Sequence, residues 1–86
     1  MDKQVIIDQL TDHIRQAFHI AGDDAEFTVD VHLFDYGYID SFGATELIAY
    51  IEETYDIEVT KKDLMLHPLN TISEIASFIQ GKLKEA

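Results

Sequence analysis

Residues 33–59 read LFDYGYIDSFGATELIAYIEETYDIEV. From Ser41 onward the apolar residues fall at helical spacing: at about 100° per residue, Ala44, Leu47, Ile48, Ile51 and Tyr55 share one side, while Phe42, Glu46, Ala49 and Glu53 line the other. The stretch predicts a helix over 41–55 whose outer face is acidic and carries one aromatic ring. Upstream, Gly37 supplies the positive φ that a tight turn into Asp40 requires.

The flanking sequence extends the helical reading in both directions. Ile6, Leu10, Ile14 and Phe18 recur every four residues with Ala17 beside them, which predicts a first helix from about Lys3 to Phe18, ended by Gly22 and the acids after it. Downstream, Thr60 and Asp63 have the spacing of a cap for a short helix through Leu66, stopped by Pro68. Thr71 and Glu74 form a second capping-box pattern ahead of a last helix with the stripe Ile72, Ile75, Ala76, Ile79 and Leu83. Between the first two helices Phe27, Val29, Val31 and Leu33 alternate with polar residues, a strand signal taken alone. No other segment offers a partner, and an unpaired strand leaves its backbone groups unsatisfied. The expectation is a long loop whose apolar side chains lie over the helices. The sum is an all-α bundle of three main helices and one short one in a single domain, residues 1–86.

Composition narrows the function. Eighty-six residues build a modest core but do not enclose a deep active-site cavity, which disfavours an enzyme. The formal net charge is −11, and no Lys or Arg occurs between Gln16 and Thr60. Such a surface repels phosphate backbones and anionic lipid and attracts basic protein surfaces. The absence of Cys excludes disulfides and thiolate metal sites. His13, His19, His32 and His67 have no metal-ligand spacing, and no EF-hand loop is present, so no metal is expected. Val5–Ile7 is too short for a signal-peptide core and nothing approaches a membrane span; the expectation is a cytoplasmic protein without membrane insertion, and a monomer.

Ser41 is the residue with chemistry to offer. A hydroxyl in the first turn of a helix, where unpaired backbone N–H groups and the dipole favour an anion, suits attachment of a phosphodiester. Ser is equally a common N-cap, but Asp40 is available to cap instead, and Phe42 projects outward where a capped surface helix has a polar residue. Serine catalysis has little support: there is no Gly-x-Ser-x-Gly turn, and His32 has no assigned partner. Gly43 inside the helix costs about 1 kcal/mol relative to Ala. Two accounts stand for it: close approach of an attached group or of a partner's backbone, or fraying of the first turn.

Asp40-Ser41-Phe42, followed by Glu46, Leu47, Ile51, Glu52, Glu53, Tyr55, Ile57 and Val59, resembles the acyl carrier protein superfamily, with Asp35, Gly37 and Gly43 most similar to stand-alone D-alanyl and aminoacyl carriers. Phe42 stands where Leu or Met is usual, and Asp56 where fatty-acid carriers often have Gly. The resemblance implies an acyl-carrier-protein-like four-helix bundle with 4′-phosphopantetheine, derived from coenzyme A, carried covalently on Ser41 beside Asp40 and Phe42. It implies docking through Asp40, Phe42, Glu46, Glu52 and Glu53. Its implied partners are a phosphopantetheinyl transferase, an acyl- or aminoacyl-loading ligase, and a downstream transferase or synthase. Two alternatives stay open: a fatty-acid or polyketide carrier, and an unmodified acidic interaction module.

Overall fold

The computed structural model describes residues 2–85 and contains α1 (Lys3–Ala17), α2 (Ser41–Tyr55), α3 (Lys61–Leu66) and α4 (Ile72–Glu85). No strand occurs among the described residues, so the architecture is the expected all-α bundle with a long α1–α2 loop. Ile6, Leu10 and Ile14 of α1 are fully buried and meet the stripe Ile72, Ile75, Ala76 and Ile79 of α4. Leu47, Ile51 and Tyr55 of α2 close a third side of the core. Each large aliphatic chain so buried contributes about 1.5–3 kcal/mol. The Tyr55 hydroxyl donates to Gln9 Oε1 at 2.7 Å, tying α2 to α1, and burial pushes this phenol up to about 12.

The loop belongs to this core. Phe27, Val31, Leu33 and Ile39 are buried while Val29 is half-buried. Turns supply many of the loop's backbone hydrogen bonds, and two more run to the α3–α4 region: Leu33 N–H donates to the Asn70 carbonyl at 2.9 Å, and Ser73 N–H to the Val29 carbonyl at 3.0 Å. The partners of this segment are thus two single backbone groups and not a second strand.

Helix ends follow local chemistry. Thr60 and Asp63 form the complete reciprocal capping box, and Thr71 and Glu74 exchange the equivalent pair of bonds at 3.1 Å. At the end of α1, Phe18 is the C-cap, in agreement with the predicted end at Phe18, and the chain turns at His19, whose φ is 56°, ahead of Gly22. At the end of α2, Asp56 occupies the left-handed region with φ 53° and ψ 49°. A side chain there is strained, and an acid at a helix C-terminus opposes the dipole. Asp56→Gly is therefore expected to raise stability by about 1 kcal/mol, read as a higher urea midpoint.

α3 buries none of its residues and depends on polar anchors. Lys82 Nζ lies 2.8 Å from Asp63 Oδ2. The Lys82 ammonium, then the Thr60 N–H, hold the Asp63 carboxyl down at about 2, against 3.8 for the free side chain. Because the folded value is the lower one, this contribution is complete above about pH 4 and disappears as the pH falls through 2. The stability deficit of Asp63→Asn is accordingly expected to shrink between pH 4 and pH 2 in urea titrations at fixed ionic strength.

Candidate functional site

The turn that delivers Ser41 is built on Leu33. Its carbonyl accepts from Tyr38 N–H at 2.9 Å and Ile39 N–H at 3.1 Å, while Gly37, at φ 78°, donates to the Phe34 carbonyl. Ile39 is then buried, and Asp40 becomes the N-cap of α2. The Asp40 side chain accepts from Gly43 N–H at 2.8 Å, and its carbonyl accepts from Ala44 N–H at 2.8 Å.

That assignment decides what Ser41 can do. With Asp40 as the cap, Ser41 is the first helical residue, and its exposed hydroxyl has no hydrogen bond to any described residue. Its own N–H and that of Phe42 are likewise without a partner among the described residues, as the first turn of a helix leaves them. A nucleophilic oxygen thus stands in solvent beside two free donors at the positive end of a fifteen-residue helix.

Phe42 is 89% exposed, and Glu46 and Glu53 also face solvent. Glu46 Oε1 lies 3.3 Å from His13 Nε2, and the His13 ring stacks on Tyr50 with centroids 3.6 Å apart. Glu52 is placed differently from the other acids. It is half-buried and its Oε2 accepts from Val59 N–H at 2.9 Å, which ties the segment after α2 back to the helix. His32, distant from this chemistry in role, accepts from Asp35 N–H through Nδ1 at 3.0 Å.

Two features escaped the sequence reading. An open groove of about 530 Å³ lies between α2 and α3, lined by Phe34, Leu47, Ile48, Ile51, Leu64 and Met65 among others. The second is Gly43, which is buried against Phe18 and Ile39 of this chain. Neither an incoming group nor fraying is needed to explain it: a Cβ at this position would stand 2.5 Å from Phe18 Cε1 and 2.9 Å from Ile39 Cγ2.

The sequence model of the family described as "Phosphopantetheine attachment site" matches residues 8–79. The chain belongs to this family. D-alanyl carrier proteins of Streptococcus pyogenes serotypes M1, M5 (strain Manfredo) and M49 (strain NZ131) are each 33% identical to the carrier over 58 residues, covering 67% of this chain and 73% of theirs. The protein is a carrier of the acyl carrier superfamily, similar to the D-alanyl carriers, and its cofactor is a covalent 4′-phosphopantetheine. The α2 N-terminus fits that group: an unpaired exposed hydroxyl, two free backbone donors for a phosphate, and a cap that leaves them uncovered. No described helix of the carrier is long and apolar enough to cross a membrane.

Proposed function

We propose that the chain is a single-domain, stand-alone, cytoplasmic carrier that is phosphopantetheinylated on Ser41 and holds an aminoacyl or acyl group between a loading ligase and a downstream enzyme. The observation that carries the reading is the Asp40 cap, which leaves the Ser41 hydroxyl unengaged at the start of α2. Coenzyme A is the donor: Ser41 Oγ bonds to the phosphorus that bears pantetheine, the phosphoanhydride bond breaks, 3′,5′-ADP leaves, and the hydroxyl proton passes to a base of the transferase. When bound, the group supplies a terminal thiol on which cargo is held as a thioester. The chain itself performs no bond chemistry; it presents cargo at high effective concentration to each docked enzyme.

Docking is assigned to Phe42 with Asp40, Glu46 and Glu53 around Ser41, and Glu52 adds negative charge from its fixed position. Exposed ion pairs are worth about 0.2–1 kcal/mol each, so several give fast and reversible association with a basic partner. Aminoacyl cargo is supported by the likeness to the D-alanyl carriers. One observation favours a second reading, fatty or polyketide acyl cargo: the apolar groove beside α2.

The test is intact mass after incubation with coenzyme A, Mg²⁺ and a broad-specificity phosphopantetheinyl transferase. The expected result is a gain of one phosphopantetheinyl group. A folded protein of unchanged mass would refute the reading and leave the unmodified interaction module. Thioester masses after exposure of the primed protein to amino-acid and fatty-acid ligases separate the two cargo classes.

A further inference from the structure

Gly43 is buried, although Ser41, Phe42, Thr45 and Glu46 around it are all exposed. The inner side of the first turn of α2 therefore rests on Gly43 and the half-buried Ala44, and at Gly43 the backbone meets the Phe18 ring and the Ile39 side chain. A Cβ built there would lie 2.5 Å from Phe18 Cε1, 2.9 Å from Ile39 Cγ2 and 3.1 Å from Phe18 Cζ. Ordinary carbon contacts are about 3.5–4 Å, so a methyl group at position 43 requires the ring and the helix to separate by about 1 Å.

The Phe18 backbone is fixed at the end of α1, and the atoms that a Cβ at position 43 would meet are the far edge of its half-buried ring. Phe18 caps α1, its N–H donates to the Ile14 carbonyl at 3.0 Å, and the next residue, His19, is held in the left-handed region while Ile20 N–H returns to the Arg15 carbonyl. Ile39 is 3% exposed and anchored through its N–H to Leu33. By contrast the outer side of the turn meets only solvent, and its polar anchoring is the Asp40 cap. The ring at the end of α1 is thus the surface against which the Ser41-bearing turn is set.

We propose that Phe18 and Gly43 are positioning residues for priming: their contact fixes where the Ser41 hydroxyl stands relative to the docking face. The proposal rests on Ser41 being the attachment residue. A transferase docked on Phe42, Glu46 and Glu53 must bring that oxygen to about 3–3.5 Å from the phosphorus in line with the leaving group, and an error of 1 Å costs up to about 100-fold in rate. Glu46 and Glu53 lie beyond the first turn and stay in place when it shifts, while Phe42 moves with Ser41, so the cost falls mainly on kcat and KM changes less.

The experiment compares wild-type protein, Gly43→Ala, Phe18→Leu and the Phe18→Leu/Gly43→Ala pair as transferase substrates, at a temperature where circular dichroism shows all four folded. The expected result is a kcat at least tenfold lower for Gly43→Ala with a smaller change in KM. The smaller leucine in the double variant should recover most of the loss. Wild-type kcat in folded Gly43→Ala would overturn the proposal. So would a loss that the double variant does not relieve, or one that rises in KM alone. Priming of the wild type is the control for the attachment reading: if it fails, that reading fails first, whereas a primed wild type with an indifferent Gly43→Ala sinks only the positioning role.

Discussion

Ser41→Ala is expected to eliminate the mass gain on incubation with transferase and coenzyme A, while leaving the urea midpoint within about 0.5 kcal/mol of wild type. The two halves of this result follow from one geometry. All nucleophilic capacity at the α2 N-terminus resides in the Ser41 oxygen, since Thr45 is a turn further along and its hydroxyl donates to the Ser41 carbonyl at 3.3 Å. The same oxygen contributes nothing to the fold, because it is exposed and has no hydrogen bond among the described residues. Were Ser41 the cap, its loss would cost about 1 kcal/mol. Asp40 holds that position instead, with its carboxylate 2.8 Å from Gly43 N–H. Loss of priming at unchanged stability thus separates an attachment serine from a capping serine. Loss of both would mean that Asp40 does not cap in solution, and retained priming would move the attachment elsewhere.

The helices were legible because their determinants are local. Thr60 with Asp63 and Thr71 with Glu74 act across three residues, and the stripes Ile6-Leu10-Ile14 and Ile72-Ile75-Ile79 repeat at the period of the helix itself. The position of Ser41 as the first helical residue, between a competent cap and an amphipathic run, was legible for the same reason. What could not be read depends on contacts between distant residues. Gly43 is explained by Phe18, at the far end of another helix, and no spacing rule connects them. Glu52 sits at the edge of the acidic face on a helical wheel, but the chain after Asp56 turns back and brings the Val59 N–H to it. The alternation from Phe27 to Leu33 is a true burial pattern in part, since Phe27, Val31 and Leu33 do point inward. It lacks a strand because the backbone partners are single groups at Asn70 and Ser73 and not a second extended segment.

Leu33→Ala is expected to cost about 3 kcal/mol, within the 2–5 kcal/mol of buried leucine truncations and comparable to the loss of a helix-core residue. Leu33 is 0% exposed, as are Ile6, Leu10 and Ile14, although it lies in a loop. Truncation leaves its backbone bonds to Asn70, Tyr38 and Ile39 chemically possible, so the loss reports side-chain packing and not the hydrogen bonds. Domains of this size have total stabilities of about 5–15 kcal/mol, so the variant gives up a large fraction of the whole. An exposed loop substitution, Asp30→Ala, serves as the control and should stay within about 0.5 kcal/mol. If Leu33→Ala also cost less than about 1 kcal/mol, the loop would be a covering laid over a complete helical core and not part of it. The functional consequence runs through the same residue: the Leu33 carbonyl gathers the turn that ends in Ile39 and Asp40, so hydrogen exchange at the Tyr38 and Ile39 amides should accelerate together with the fall in global stability. Exchange at those two amides that stayed slow while the urea midpoint dropped would separate the turn from the core and assign its rigidity to the Asp40 cap alone.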